Sequence, residues 1–151
     1  MQLFAYPPKL SIVYQHPVDS SRPLFLILDP VHILKSARND WLNQKNSGQC
    51  MYFPDATSND ERPPILTAPF KTLRDLHKAE QNELLKLAPT LSLEALNLTT
   101  LERQDVKLAL RVFSPSTVAA LNTSSAQHAE ETSKFISRVL DWWRVVNVKT
   151  P

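Results

Sequence analysis

The chain has 151 residues, 42% hydrophobic and 21% charged, and its 17 basic and 15 acidic side chains give a formal net charge of +2. These globular values allow one ordinary domain with a sizeable core, and they exclude wholesale disorder and the electrostatic footprint of a free-standing nucleic-acid binder. Cys50 is alone, Gly48 is the single glycine and no apolar run approaches a membrane span, which excludes an internal disulfide, a cysteine zinc site, a glycine-rich phosphate loop and a spanning helix.

The first residues lack the basic start and long apolar core of a signal peptide, and one unpaired cysteine fits a reducing compartment. The glycosylation-like triplets at Asn97 and Asn122 are therefore read as chance matches. Prolines 7, 8, 17 and 23 surround residues 10–14, which read as a short strand or extended segment. Residues 24–28 are five large apolar side chains in a row, bounded by turn chemistry, and read as a strand buried on both faces.

Asp29 stands at the carboxyl end of that strand, where open α/β sheets gather catalytic groups. Pro30 suits the first turn of a helix, so Asp29 before it is also a good N-cap. The helix is predicted over 30–45, with Val31, Leu34, Ala37/Arg38, Trp41 and Leu42 as its apolar stripe and His32 near its start. Lys35, Arg38 and Lys45 lie off or beside the stripe, as a solvated face or as cations able to meet phosphates.

From 46 to 67 the prolines, Asp55 and the Ser58–Glu61 run predict a linker loop and a boundary, with residues 51–53 anchoring it. After residue 67 the pattern is all helical. A helix is predicted over 68–88, with Phe70, Leu73, Leu76, Leu84 and Leu87 on one face and His77 packing beside it. A single turn is expected at 92–96, a helix capped by Thr99 or Thr100 at about 100–113, and a short one opened by Ser114-Pro115 and running to about 122. The last helix, 125–147, repeats Ala129, Thr132, Phe135/Ile136, Val139, Trp143 and Val146 at helical spacing, with one of its two adjacent indoles toward the core.

A strand ending in Asp29-Pro30-Val31-His32, followed without a break by Ile33-Leu34-Lys35-Ser36-Ala37-Arg38-Asn39-Asp40-Trp41, resembles the second catalytic aspartate region of P-element-type DNA transposases, the group that includes the THAP-domain-containing transposases. Further segments follow the family pattern in order: Phe70 to Leu76, Leu87-Ala88-Pro89, Gln104 to Phe113, Ser116 to Leu121, and Trp142-Trp143 near Asn147. The resemblance covers residues 16–151. It implies a mainly α fold: residues 1–45 as a strand and helix of an RNase H-like α/β catalytic domain, 46–67 as linker, and 68–151 as a helical GTP-binding insertion domain that helps position donor DNA.

By the same resemblance Asp29 is a catalytic acid and Mg²⁺ ligand, with His32 supporting it. The family chemistry uses three carboxylates around two Mg²⁺ ions. Asp19 is too close and in the wrong context to be the first acid, and Glu130 and Glu131 belong to the insertion, so the triad is not completed within these residues and no activity is expected of them alone. Lys107 is a candidate for a GTP phosphate, Asp141 for the guanine edge and Phe113 or Trp142 for base stacking; an exposed lysine and a solvated helix acid are the ordinary alternatives. The implied partners are transposon-end DNA, GTP and the remaining transposase domains, in the nucleus and without a membrane. A rival reading is a helical protein-interaction module, a domesticated transposon remnant without nucleotide binding, whose surface is the apolar face of helix 125–147.

Overall fold

Two short antiparallel hairpins and six α-helices are built from residues 13–25, 29–43 and 48–147, the parts described by this computed structural model. Residues 26–28 and Lys45, where the sequence reading placed most of a strand and a helix-end cation, lie outside them. Strand β1 (Val13–Gln15) pairs with β2 (Pro23–Phe25) in the register Val13↔Phe25, Tyr14↔Leu24. Residues 24 and 25 were expected on a doubly buried strand, but Leu24 is 44% and Phe25 65% exposed in this hairpin. Two strands alone supply no second layer to cover their faces.

Helix α1 (Pro30–Asn43) starts where predicted, with Asp29 Oδ1 accepting the Val31 N–H at 2.9 Å. Its stripe delivers Leu34, Trp41 and Leu42 to the core. The predicted linker loop is instead mostly a hairpin, β3 (Cys50–Pro54) against β4 (Ile65–Pro69), paired from Cys50↔Pro69 to Pro54↔Ile65. The prolines that argued for loop sit at strand ends or in the connection, where a missing ladder N–H costs nothing. Phe53 and Ala68 are buried, so the hairpin has an inner face, and β4 packs on the last helix.

Helix α2 (Phe70–Ala79) is shorter than the predicted 68–88. It gives way to a 3₁₀ turn at Glu80–Asn82, and the buried Glu80 carboxylate then accepts the N–H groups of Leu87 at 3.2 Å and Ala88 at 3.1 Å. That capture folds the chain back on itself. Leu84 and Leu87, assigned to the apolar face by spacing, are thereby left exposed.

Helices α3 (Leu93–Leu96), α4 (Val106–Val112) and α5 (Pro115–Thr123) each begin on a side-chain cap: Ser92, Asp105 and Ser114 accept from Ala95, Lys107 and Thr117 N–H. Thr99 does act as a cap, but on a separate 3₁₀ turn, Glu102–Gln104: its Oγ1 accepts from Glu102 N–H while the Glu102 carboxylate accepts from Thr99 N–H, a reciprocal capping box. Helix α6 (Ala129–Val146) follows His128, whose φ of 61° is left-handed. Its apolar face buries Ala129, Ile136 and Leu140 against α5 and β4. At the other end of the face named by the interaction-module reading, Val139 and Trp143 are half-buried and Val146 is 39% exposed.

One core joins these elements. Leu34, Trp41 and Leu42 of α1 and Phe53 and Ala68 of the hairpin share it with Leu73, Leu108, Val112, Leu121 and Ile136. The packing thus runs across the compositional boundary at 46–67. Trp41 is its hub: fully buried, it lies 4.8 Å from the Phe135 ring, 5.2 Å from Phe70 and 6.2 Å from Phe113, and its Nε1 donates to the Ala68 carbonyl at 2.7 Å.

Candidate functional site

Asp29 and His32 are both exposed at the N-terminal end of α1. One Asp29 oxygen is engaged by the Val31 N–H, and the Asp29 carbonyl accepts from Ile33 N–H at 3.1 Å, so the cap reading is realised in full. Among the described residues no group of three histidine, cysteine, aspartate or glutamate side chains comes together as a metal ligand set. Among the described residues the second Asp29 carboxylate oxygen takes no hydrogen bond, and no such ligand group forms around it.

The residues considered for guanosine are not gathered either. Lys107 is exposed beside its cap Asp105. Asp141 is exposed, pairs with Arg144 at 3.0 Å, and lines a cleft of ≈ 260 Å³ with Pro115, Val118, Ser137 and Leu140, to which neither Lys107 nor Phe113 contributes. Phe113 requires a correction. It is 1% exposed and stacks on Trp41, with 17° between the rings, so its faces belong to the core and do not meet a base. Trp142, the other stacking candidate, is half-buried beside Trp143.

Arg38 departs from both readings given for it. It is neither solvated nor turned toward a phosphate; it is fully buried. Its Nη atoms donate to the carbonyls of Arg103 at 2.8 Å and Asp105 at 3.2 Å, and its Nε and Nη2 reach Asn39 Oδ1 at 3.2 and 3.0 Å. Burial lowers the pKa of this guanidinium, Asp105 opposes that and the nearby Arg103 adds to it. The charge bolts α1 to the Glu102–Gln104 3₁₀ turn before α4 through backbone carbonyls of that turn and of Asp105, which follows it; carbonyls at a helix end lack intrahelical partners. A helical stripe with one cation in it was the available signal, since Arg38 lies between Leu34 and Leu42 at four-residue intervals.

A second polar feature was missed. Between the end of α1, the start of α2 and the stretch from α3 to the 3₁₀ turn lies a pocket of ≈ 390 Å³, lined by Asn43, Gln49, Arg74, Asn97, Thr99 and Arg103 with leucines between them. Gln49, at φ 58°, follows Gly48 at φ 66°, and the two left-handed residues lead into β3. Non-glycine residues adopt that conformation only where surrounding contacts hold them. Here Gln49 donates from Nε2 to Leu42 O at 2.7 Å and accepts Arg74 Nη1 at 2.9 Å, while its carbonyl takes the Phe70 N–H at 2.8 Å. These pocket residues are scattered from 43 to 103, and no local spacing reveals them.

No family model matches the sequence. A curated relative, the transposable element P transposase of Drosophila melanogaster, is 28% identical over 142 residues, an alignment covering 90% of this chain and 17% of that protein. Among solved structures, the Drosophila P element transposase strand transfer complex shares the fold with a TM-score of 0.72 at 21% identity, over 92% of this chain and 29% of that one. This chain thus spans about a sixth of the curated relative it matches. Over nearly all its length, in sequence and in fold, it is similar to one segment of a P-element-type transposase.

Proposed function

We propose that this polypeptide works as a segment of a P-element-like DNA transposase, with transposon DNA as the substrate of the whole assembly. In this reading residues 1–45 carry an edge of an RNase H-like catalytic domain, 46–67 form the connection and 68–151 the helical insertion that binds GTP and helps position donor DNA. The observation that carries it is the continuous likeness, which covers 90% of this chain in sequence and 92% in fold and so takes in both Asp29 and the helices. The exposed β1–β2 hairpin supports it: Val13, Tyr14, Leu24 and Phe25 present apolar surface of the kind further strands of a catalytic sheet would cover.

Asp29 is then a metal-binding acid whose partner carboxylates and Mg²⁺ ions belong to a more complete catalytic domain, with His32 beside it. Those ions would activate the attacking oxygen and stabilise the leaving one. Alone, the 151-residue chain should cut no DNA. The test is incubation of the purified chain with supercoiled and end-labelled duplex DNA in Mg²⁺ or Mn²⁺. Metal-dependent cleavage abolished by Asp29→Ala would overturn the reading. The nucleus is the compartment this function requires. For the nucleotide, calorimetric titration should favour GTP over ATP, with Lys107, Asp141 and Trp142 as candidate contacts.

A further inference from the structure

The pocket beside Gln49 is chemically unlike the rest of the surface. Two arginines and four neutral polar side chains line it, and no carboxylate does. Two acids close to Arg103 in sequence each hold a backbone amide: Glu102 accepts the Thr99 N–H at 2.7 Å, and Asp105 accepts the Lys107 N–H at 2.7 Å. The Arg103 side chain makes no hydrogen bond among the described residues, and its shielded Nε has no acceptor. Arg74 donates one Nη1–H to Gln49 and lies 5.3 Å from the Phe70 ring centroid, but its Nε is likewise shielded and unpaired.

A guanidinium's two Nη groups suit two oxygens of one anion. Each Nε here is buried from solvent, but both Nη groups of Arg103 and Nη2 of Arg74 make no hydrogen bond among the described residues, and both side chains line one concavity of ligand size. The buried Arg38, close enough to Arg103 to depress its own pKa, adds positive potential from behind. Asn43, Asn97 and Thr99 supply neutral donors around the rim. Gln49 sets Arg74 in place at the cost of a left-handed backbone, and such conformations concentrate at ligand sites.

We propose that the Arg74–Arg103 pocket binds the phosphate group of a small phosphorylated ligand, held by the unpaired Nη groups of the two guanidiniums. The proposal does not depend on guanine recognition, because it requires a phosphate and no particular base. An open concavity of ≈ 390 Å³ bordered by three segments is of a size for a mono- or diphosphate group.

Inorganic pyrophosphate is the probe, titrated calorimetrically into the full chain, with Arg103→Gln as the primary variant because that side chain holds no structural hydrogen bond. The expected result is measurable pyrophosphate binding that weakens about ten-fold or more in Arg103→Gln, with unchanged circular dichroism and melting temperature. Arg74→Gln should lose affinity similarly, and Arg103→Lys should recover it only in part. No pyrophosphate binding by folded protein, or binding indifferent to both arginines, overturns the proposal. So does a duplex oligonucleotide that binds through these arginines while pyrophosphate does not. GTP binding that survives both substitutions would sink this pocket while leaving the guanosine reading intact. Pyrophosphate binding with a flat GTP titration would do the reverse.

Discussion

Trp41 and Arg38 sit one turn apart on α1 and hold the molecule by opposite means. Trp41 contributes buried ring surface, three aromatic contacts and a hydrogen bond to Ala68 O; Trp41→Ala should therefore cost about 3–5 kcal/mol. Trp41→Phe keeps ring volume but strands the Ala68 carbonyl, at about 1–3 kcal/mol. Urea denaturation of both variants checks the order; equal midpoints would show that the hydrogen bond, not the packing, carries the effect. Arg38→Met keeps an apolar stem and removes the donors to the Arg103 and Asp105 carbonyls, each worth about 1–3 kcal/mol when left buried and unpaired. A midpoint within error of wild type would mean that water satisfies those carbonyls.

Trp41 was legible from helical spacing and size. The place of Arg38 on the stripe was legible from the same spacing, but its bonding was not, because its partners are backbone carbonyls 64 to 67 residues away, which leave no trace in side-chain pattern. Phe113 failed for a related reason: an aromatic at the end of an apolar helix reads the same whether it faces a ligand or Trp41. Asp29 was read correctly as a cap from the Asp-Pro pair alone, since capping is settled by the next two residues.

Among the elements, Ser92 and Ser114 mark helix starts by local chemistry, whereas α4 starts at Val106 on Asp105 and not near 100 on Thr99 or Thr100, and α2 ends nine residues early because Glu80 captures amides at Leu87 and Ala88. That is a tertiary choice, and apolar spacing through Leu84 and Leu87 pointed the other way. The β3–β4 hairpin was hidden by its prolines, yet its connection is held by readable turn chemistry: Asp55 Oδ1 accepts Thr57 Oγ1 at 2.7 Å and Thr57 N–H at 2.9 Å.

These turns make a pH prediction. The Thr57 hydroxyl, then its amide, holds the Asp55 carboxyl below its ordinary pKa, and the Thr99 amide, then its hydroxyl, does the same for Glu102. A carboxyl whose folded pKa is depressed contributes stability that is complete above its unfolded pKa and is lost as pH falls through the folded value. Urea midpoints should thus fall between about pH 6 and pH 3 in the native chain, and more gently in an Asp55→Asn/Glu102→Gln variant. The same slope in both would assign the acid sensitivity to other groups.

For the whole molecule, the sequence pattern conveyed a mainly helical chain and its likeness to P-element-type transposases, which the fold shares. Composition suggested a division at 46–67, but α1 and the β3–β4 hairpin share one core with the later helices. A linker and a hairpin look alike when short apolar runs such as 50–53 are bracketed by prolines. The exposed β1–β2 hairpin is the element most dependent on neighbours outside the described core, and the arginine pocket exists only through the meeting of segments far apart in the chain.

The central claim is that this chain supplies the nucleotide-binding helical part of a P-element-like transposase. Isothermal titration of the folded protein with GTP and, separately, ATP tests it most directly. The account predicts saturable GTP binding at least about ten-fold tighter than ATP, a gap of roughly 1.4 kcal/mol. Flat titrations with both nucleotides, on a sample whose circular dichroism is helical and whose melting is cooperative, would contradict it.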